Sequence, residues 1–150
     1  MRFAMLKQLS QQFWQLCCLT LALLTFTVSA EQKMQLGEWD VHYIVVNSTF
    51  FSPDTAREYG IVRSKYNALV NISVLDTATQ KAQFVGVEGS ATNLLGTEKA
   101  LTFKRVQEGD AIYYLAVLPF RDQETYRFSI RIQRGNDSET LKFQQKMYVD

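Results

Sequence analysis

The residues with the strongest chemical potential lie in one alternating row, Glu38, Asp40 and His42. On a β-strand, residues two apart project from the same face, spaced by roughly 7 Å. Two carboxylates and one imidazole are suitable ligands for a divalent metal ion. A straight strand, however, holds the outer pair too far apart to bind one ion through bonds of about 2 Å. We therefore predict no metal site and no cofactor, and interpret these weak metal candidates as a solvated strand face.

A second group of polar residues lies at and just after a short predicted helix. It combines three cations with two tyrosines, namely Arg57, Tyr59, Arg63, Lys65 and Tyr66. Loops on a rigid β scaffold are where binding residues tend to lie, and the guanidinium of Arg63 is suited to a carboxylate or a phosphate. The structural alternative is that Arg63 pairs with a nearby acid such as Glu58 and tethers the loop. We predict this group as the candidate binding surface.

A third candidate surface is one face of the last predicted hairpin, which turns at residues 135–137. Period-two alternation places four cations on one face, Arg127, Arg131, Lys142 and Lys146. A basic face of this kind can meet acidic polymers or lipid headgroups. Because exposed faces of antiparallel sheets are polar by default, we favour an ordinary solvated face as the explanation of this charge pattern.

The sequence lacks the motifs of the common catalytic centres. Beyond residue 30 there is no Gly-x-Ser-x-Gly elbow and no Ser-x-x-Lys pair. His42 is the single histidine, no serine is marked as its partner, and no glycine-rich loop precedes a helix. Both cysteines, Cys17 and Cys18, lie in the first 30 residues. We therefore predict that the protein is not an enzyme.

The elements that must position these candidates are mostly strands. Alternation over residues 39–45 predicts a first strand, and branched residues predict another over 68–75. Further strands are predicted over 83–87, 99–106, 111–118, 125–133 and 139–149, with turns at 76–79, 108–110 and 135–137. Between the first two strands, Ser52, Pro53 and Gly60 provide a cap, a first turn and a stop for one short helix.

About seven or eight short strands with closely spaced turns indicate an all-β fold. We predict an antiparallel immunoglobulin-like β-sandwich with one short helix after the first strand, and a small β-barrel as the alternative. Residues 122–128, with Tyr126 near the start of a late strand, resemble the tyrosine corner of immunoglobulin-like domains. No linker, repeat or low-complexity tract interrupts residues 31–150, so we predict one domain there.

Residues 37–43, 49–53, 59–66 and 71–74 together resemble a family of short exported proteins of Gram-negative bacteria, classed as a domain of unknown function. The most specific part is Tyr-Gly-Ile-Val-Arg-Ser at 59–64, followed by the Asn-Ile-Ser-Val strand. The resemblance extends over nearly all of residues 31–150. It implies a periplasmic location and an all-β domain, and it implies no activity.

The first 30 residues have the pattern of an export signal. Arg2 and Lys7 form a basic start, residues 16–28 form an apolar run, and cleavage is predicted after Ala30. The run is shorter than the roughly 20 residues that a membrane span needs. Removing the segment changes the formal net charge from +1 to −1, with 14 basic and 15 acidic residues left.

These properties predict a periplasmic protein that does not bind nucleic acid, because nucleic-acid binders are normally basic. They also predict no stable membrane span after cleavage. The expected function is a non-enzymatic protein-binding or accessory module, whose partner is another periplasmic or envelope protein. The alternative is a periplasmic carrier of a small ligand or a divalent metal ion, which would use the Arg63 loop or the Glu38 row.

Overall fold

Nine strands and one short helix account for most of residues 32–149, the part of the chain that the computed structural model describes. The export signal predicted for residues 1–30 lies outside the described residues. The helix α1 is Pro53–Tyr59, and a single 3-10 turn is Ser48–Phe50. The strands are β1 (Gln32–Leu36), β2 (Trp39–Asn47), β3 (Asn67–Asp76), β4 (Gly86–Asn93), β5 (Glu98–Leu101), β6 (Lys104–Glu108), β7 (Ala111–Pro119), β8 (Thr125–Arg134) and β9 (Asp137–Lys146).

The strands form two antiparallel sheets that pack face to face. The first sheet has the order β1-β2-β3-β7-β6, and the second has the order β5-β4-β8-β9. The predicted all-β sandwich is confirmed. The alternative of a closed barrel is wrong, because no ladder of backbone hydrogen bonds joins the two sheets within residues 32–149.

The core between the sheets follows the alternation of the strands. On β2, Trp39, Val41 and Tyr43 are buried, as the sequence predicts. On β8, Phe128 and its alternate neighbours face the core and stack on β9, where Phe128 and Phe143 have ring centroids 4.4 Å apart. The predicted separation of apolar and basic faces on the last hairpin is therefore confirmed.

Three local strand predictions differ from the structure. The sequence predicts no strand over residues 32–36, yet they pair with β2 through a tight turn at Gly37 and Glu38. The predicted strand 99–106 is two strands, because the chain crosses at residues 102–103 from the second sheet to the first. The predicted strand 83–87 begins only at Gly86, after a stretch with one isolated bridge.

The short helix has the predicted signals at both ends. The Ser52 side chain accepts a hydrogen bond from the Thr55 N–H, Pro53 is the first helical residue, and Gly60 ends the helix with φ +69°. A satellite core under the helix includes Ala56, Ile61 and the outer side of β3 at Leu69. No helix within residues 32–149 combines the length and apolar character needed to cross a membrane.

One end of the sandwich, which we call the loop end, carries the connections relevant to function. This end contains the last residues of β2, β4, β7 and β9 and the first residues of β3, β5 and β8. Hydrogen bonds join its connections to each other: the Asn47 amide donates to the Tyr148 carbonyl (2.9 Å), and the Phe120 N–H donates to the Tyr66 carbonyl (2.8 Å). The loop end is therefore one continuous structure contributed by both sheets.

Candidate functional site

The segment of residues 48–66 contains most of the predicted binding surface, and a buried serine holds it together. The Ser48 hydroxyl accepts a hydrogen bond from the Ser64 N–H (2.9 Å) and donates one to the Ser64 carbonyl (2.9 Å). Ser48 is fully buried, so this pair of hydrogen bonds is shielded from water. The turn after β2 and the turn before β3 are thereby held side by side.

Arg63 crosses between the same two turns. Its guanidinium donates to the backbone carbonyl of Thr49 at 3.3 Å. A structural tether is thus present, but its acceptor is a carbonyl and not the carboxylate of Glu58 that the sequence suggested. Arg63 is exposed, and a guanidinium has five N–H donors, so this single bond leaves it able to bind an anion.

Large apolar side chains protrude beside these cations. Phe50 is 80% exposed, Val62 68% and Tyr66 50%. The Lys65 ammonium lies 5.1 Å from the centre of the Tyr66 ring, a favourable cation–π arrangement. Apart from Tyr66, these apolar side chains are not among the predicted binding residues, because the exposure of a loop residue depends on neighbours that are distant in sequence. The available signal was an apolar residue inside a segment predicted to be a loop.

The predicted binding surface divides into two parts. Arg63, Lys65 and Tyr66 lie together in the turn before β3. Arg57 and Tyr59 belong to helix α1, where Arg57 pairs with Asp54 at 2.9 Å and Tyr59 packs partly buried on the satellite core. The part of the surface that presents both charge and apolar area is therefore the turn.

The Glu38, Asp40 and His42 row does not converge on one point. Glu38 lies in the turn before β2 and lines a cleft of about 290 Å³ with Arg134. His42 lines a separate open groove with Tyr113. Within residues 32–149 no three His, Cys, Asp or Glu side chains are grouped so that they could hold a metal ion.

Asp40 is buried, which corrects the predicted solvated face. Its residue exposure is only 4%, because β1 and the turn after β3 cover it. Its carboxylate accepts hydrogen bonds, each 3.1 Å long, from Gln80, Lys33 and Thr77. The bond from Gln80, with those from Lys33 and Thr77, holds the pKa of Asp40 below its usual value. Asp40 therefore joins β1, β2 and the following turn as an ionised structural group.

The basic face of the last hairpin is exposed as predicted. Arg127 and Arg131 on β8 share the outer face with Lys142 and Lys146 on β9. Arg131 forms an ion pair with Glu88 of β4, and both side chains are more than half exposed. This partial neutralisation by an adjacent strand makes the face less basic than the hairpin sequence alone indicates.

A buried polar network supports the loop end from inside. The Glu124 carboxylate accepts hydrogen bonds from the Asn93 amide (2.8 Å), the Arg121 N–H (3.0 Å) and the Tyr126 hydroxyl (2.8 Å). Burial raises the pKa of Glu124, but these donors together outweigh it and hold the pKa below the usual value. Burial and the bond to Glu124 raise the pKa of Tyr126.

The predicted tyrosine corner is therefore modified at Tyr126. In immunoglobulin-like domains the tyrosine hydroxyl bonds to the backbone a few residues upstream. Here it bonds to the Glu124 side chain, and Glu124 in turn accepts the backbone N–H of Arg121. The carboxylate thus takes the place of a direct bond to the backbone.

Comparisons with known proteins agree with this architecture. A family model described as a domain of unknown function, DUF4426, matches residues 33–150. The crystal structure of a DUF4426 family protein from Pseudomonas aeruginosa is 35% identical, with a TM-score of 0.72 over 82% of this chain and 98% of that chain. No protein of curated function matches the sequence.

Two solved structures of FetP from uropathogenic Escherichia coli share the fold at lower identity. FetP isolated after recombinant expression in the periplasm is 12% identical, with a TM-score of 0.58 over 79% of this chain and 94% of that chain. A copper-bound variant of FetP is 13% identical, with a TM-score of 0.58 over 79% and 95%. At these identities the likeness shows the fold alone.

Proposed function

The chain belongs to the DUF4426 family, a domain of unknown function, and we propose that it is a non-enzymatic binding or accessory module of the periplasm. Its contact surface is the segment of residues 48–66 at the loop end. The export-signal pattern predicted for the first 30 residues supports the location, as does the recombinant expression in the periplasm of FetP, which has the same fold. Cell fractionation that leaves the protein in the cytoplasm would contradict this location.

The observation that carries the proposal is the exposure of Phe50, Val62 and Tyr66 on a loop that the Ser48–Ser64 hydrogen bonds hold in place. Exposed apolar side chains that are grouped together mark interaction sites more often than single ones do. The Ser48–Ser64 hydrogen bonds order the loop before any partner arrives. A pre-ordered surface loses less conformational entropy on binding, so the same contacts give a tighter complex.

The charge of this surface limits the chemistry of what it contacts. No ion pair formed within residues 32–149 includes Arg63 or Lys65. Both cations lie next to the apolar side chains in the turn before β3. A suitable partner therefore offers apolar area bordered by negative charge, such as an envelope component with carboxylates or phosphates.

Photo-crosslinking in living cells tests this surface. We expect a crosslinking phenylalanine analogue at Phe50 to give a defined adduct, because that ring is 80% exposed within the proposed contact. The same analogue at Phe84 is the matched control, since that ring is 53% exposed but lies against Arg105 near the other end of the sandwich. Absence of any adduct at Phe50, or equal adducts at both positions, would remove the proposed surface.

The second candidate function, a carrier of a small ligand or divalent metal ion, is kept because a copper-bound FetP variant has the same fold. The described residues argue against a ready-made metal site of this kind. The Asp40 carboxylate is occupied by three donors, and Glu38 and His42 line different depressions. The fold similarity to FetP therefore favours a metal carrier, whereas the arrangement of Glu38, Asp40 and His42 argues against one.

Metal titration separates the two functions. We expect Cu²⁺ or Zn²⁺ to leave the melting temperature unchanged and to be lost on desalting, because the described side chains offer no grouped donors. The matched variant is His42→Ala, which removes the single imidazole. Stoichiometric metal that survives desalting in the original protein but not in His42→Ala would establish the carrier in place of the binding module.

A further inference from the structure

The loop end collects most of the exposed apolar side chains of the described residues. Eight large apolar residues within 32–149 are exposed, and two of them, Phe84 and Val117, lie elsewhere on the sandwich. The other six belong to loops or chain segments at the loop end, namely Phe50, Val62, Tyr66, Leu94, Leu95 and Tyr148. They come from three connections and the segment after β9, so only the tertiary structure places them together.

The most exposed of these residues form the tip of the β4–β5 hairpin. Leu95 is 92% exposed and Leu94 is 62% exposed. The buried Asn93 holds this tip rigidly, because its side-chain oxygen accepts hydrogen bonds from the Leu95 N–H (3.1 Å) and the Thr97 N–H (2.8 Å). The Asn93 amide is anchored in turn by Glu124. The buried polar network thus holds two leucine side chains in an outward position. Without these hydrogen bonds, the leucines of a mobile loop could fold back onto the protein surface.

Cations lie beside several of these apolar side chains. Lys65 lies over the Tyr66 ring, and the Lys146 ammonium lies 5.4 Å from the centre of the Tyr148 ring. Arg63 follows Val62 directly, and Arg121 is exposed in the connection between β7 and β8. None of these four cations takes part in an ion pair within residues 32–149.

Most acidic side chains near these cations already have a hydrogen-bond or ion-pair partner. Both oxygens of Glu124 accept hydrogen bonds, and Asp122 accepts the Val149 N–H at 3.0 Å. Asp54 pairs with Arg57 on helix α1, whereas Glu58 and Glu98 are exposed. The local pattern is therefore a group of six protruding apolar side chains, three of which (Val62, Tyr66 and Tyr148) have a cation directly beside them.

We infer that the loop end docks on the surface of a membrane that contains anionic phospholipid, with the Leu94–Leu95 tip and Phe50 entering the outer acyl region. This inference rests on the proposed function, because it names the partner of the same surface. Tyrosine rings suit the level of the headgroups, where one end of the ring is apolar and the other is wet. Lysine and arginine beside them gain from the negative potential of anionic lipid.

The shape of the loop end favours a lipid surface over a second protein. Protein interfaces have a packed apolar centre with shape complementarity. Here the apolar side chains occupy separate projecting turns, and Lys65 and Lys146 lie over two of the tyrosine rings. A fluid bilayer can close around each tip separately, whereas a folded partner would need several matching pockets.

Vesicle sedimentation with the purified protein tests the inference. We use vesicles of phosphatidylglycerol and phosphatidylcholine in equal parts, and vesicles of phosphatidylcholine alone. We expect binding to the mixed vesicles that is clearly stronger than to phosphatidylcholine and weakens as salt is raised. The double variant L94S/L95S should bind about tenfold more weakly or worse, because it loses the inserted apolar area.

Charge and control variants complete the test. The double variant K65Q/K146Q should lose about fivefold in affinity for each cation removed, on the mixed vesicles only. Phe84→Ser makes an equally polar change at an exposed ring away from the loop end, and it should bind like the original protein. Because all these side chains are exposed, melting temperatures should be unchanged, and this measurement identifies any variant that fails to fold.

The outcomes separate the inference from the proposed function. No binding to mixed vesicles, or equal binding by the original protein and L94S/L95S, would overturn the membrane inference. If the Phe50 crosslinker then captures a protein and no lipid, the contact surface stands and its partner is a protein. If it captures nothing, the proposed function is wrong as well.

Discussion

Replacing Gly89 with alanine is expected to lower the free energy of unfolding by about 3 kcal/mol, a large part of the stability of a domain this size. Gly89 lies inside β4, between Ile130 of β8 and Leu101 of β5. A Cβ at this position would lie 2.4 Å from the Ser129 carbonyl oxygen and 2.8 Å from the Ile130 Cα. Both are backbone atoms in the middle of a sheet, so no side chain can rotate away to relieve the clash.

The matched control for Gly89→Ala is Gly86→Ala on the same strand. There the nearest atom to a new Cβ is the Gln133 carbonyl oxygen at 3.6 Å, an ordinary contact. We expect a change within about 0.5 kcal/mol for this variant. Denaturant unfolding of both variants checks the pair, and equal stabilities would show that β4 and β8 can separate to accept the extra atom.

Replacing Glu124 with alanine is expected to have a comparable effect, about 3 kcal/mol. The variant leaves the Asn93 amide, the Arg121 N–H and the fully buried Tyr126 hydroxyl without their acceptor. A buried donor that loses its partner costs the full desolvation penalty of that group. Because Asn93 organises the β4–β5 tip, Glu124→Ala should also raise hydrogen exchange at Leu95 and Thr97.

The control for this variant is Glu88→Ala, which removes a carboxylate of the same type from an exposed ion pair on β4. Exposed pairs contribute about 0 to 1 kcal/mol, so Glu88→Ala should be nearly neutral. A loss as large as that of Glu124→Ala would mean that removing any glutamate from this sheet is costly. A Glu124→Ala variant as stable as the original protein would mean that water replaces the carboxylate without penalty.

Acid should weaken the protein through two hydrogen-bonded carboxylates, Glu124 at the loop end and Asp40 between β1, β2 and the turn after β3. The folded pKa of Glu124 is below its ordinary value of 4.5, and the folded pKa of Asp40 is below 3.8. A group with a lowered folded pKa contributes stability that is complete above its unfolded pKa and is lost as pH falls through the folded pKa. Unfolding titrations from neutral pH down to about pH 3 should therefore show a smaller loss for Glu124→Gln than for the original protein.

The local predictions that succeeded depend on neighbours in the chain. Ser52, Pro53 and Gly60 act within one helix, and the face alternation of Trp39 and Phe128 needs only the strand period. The prediction of an all-β sandwich follows from many such local patterns. The failures occurred where a partner strand decides the outcome. Residues 32–36 become a strand because β2 pairs with them, and the 99–106 stretch divides because its two halves pair with different sheets.

The candidate site shows the same division. By itself the sequence determined the strand faces, the short helix, the cationic turn at Arg63 and Lys65, and the family. Tertiary structure alone decided that Asp40 is buried under β1 and that Glu38 and His42 separate. It also decided that Phe50, Leu95 and Tyr148, far apart in the chain, share one end. The physical reason is that burial and proximity depend on pairing between strands distant in sequence, which no local pattern of residues encodes.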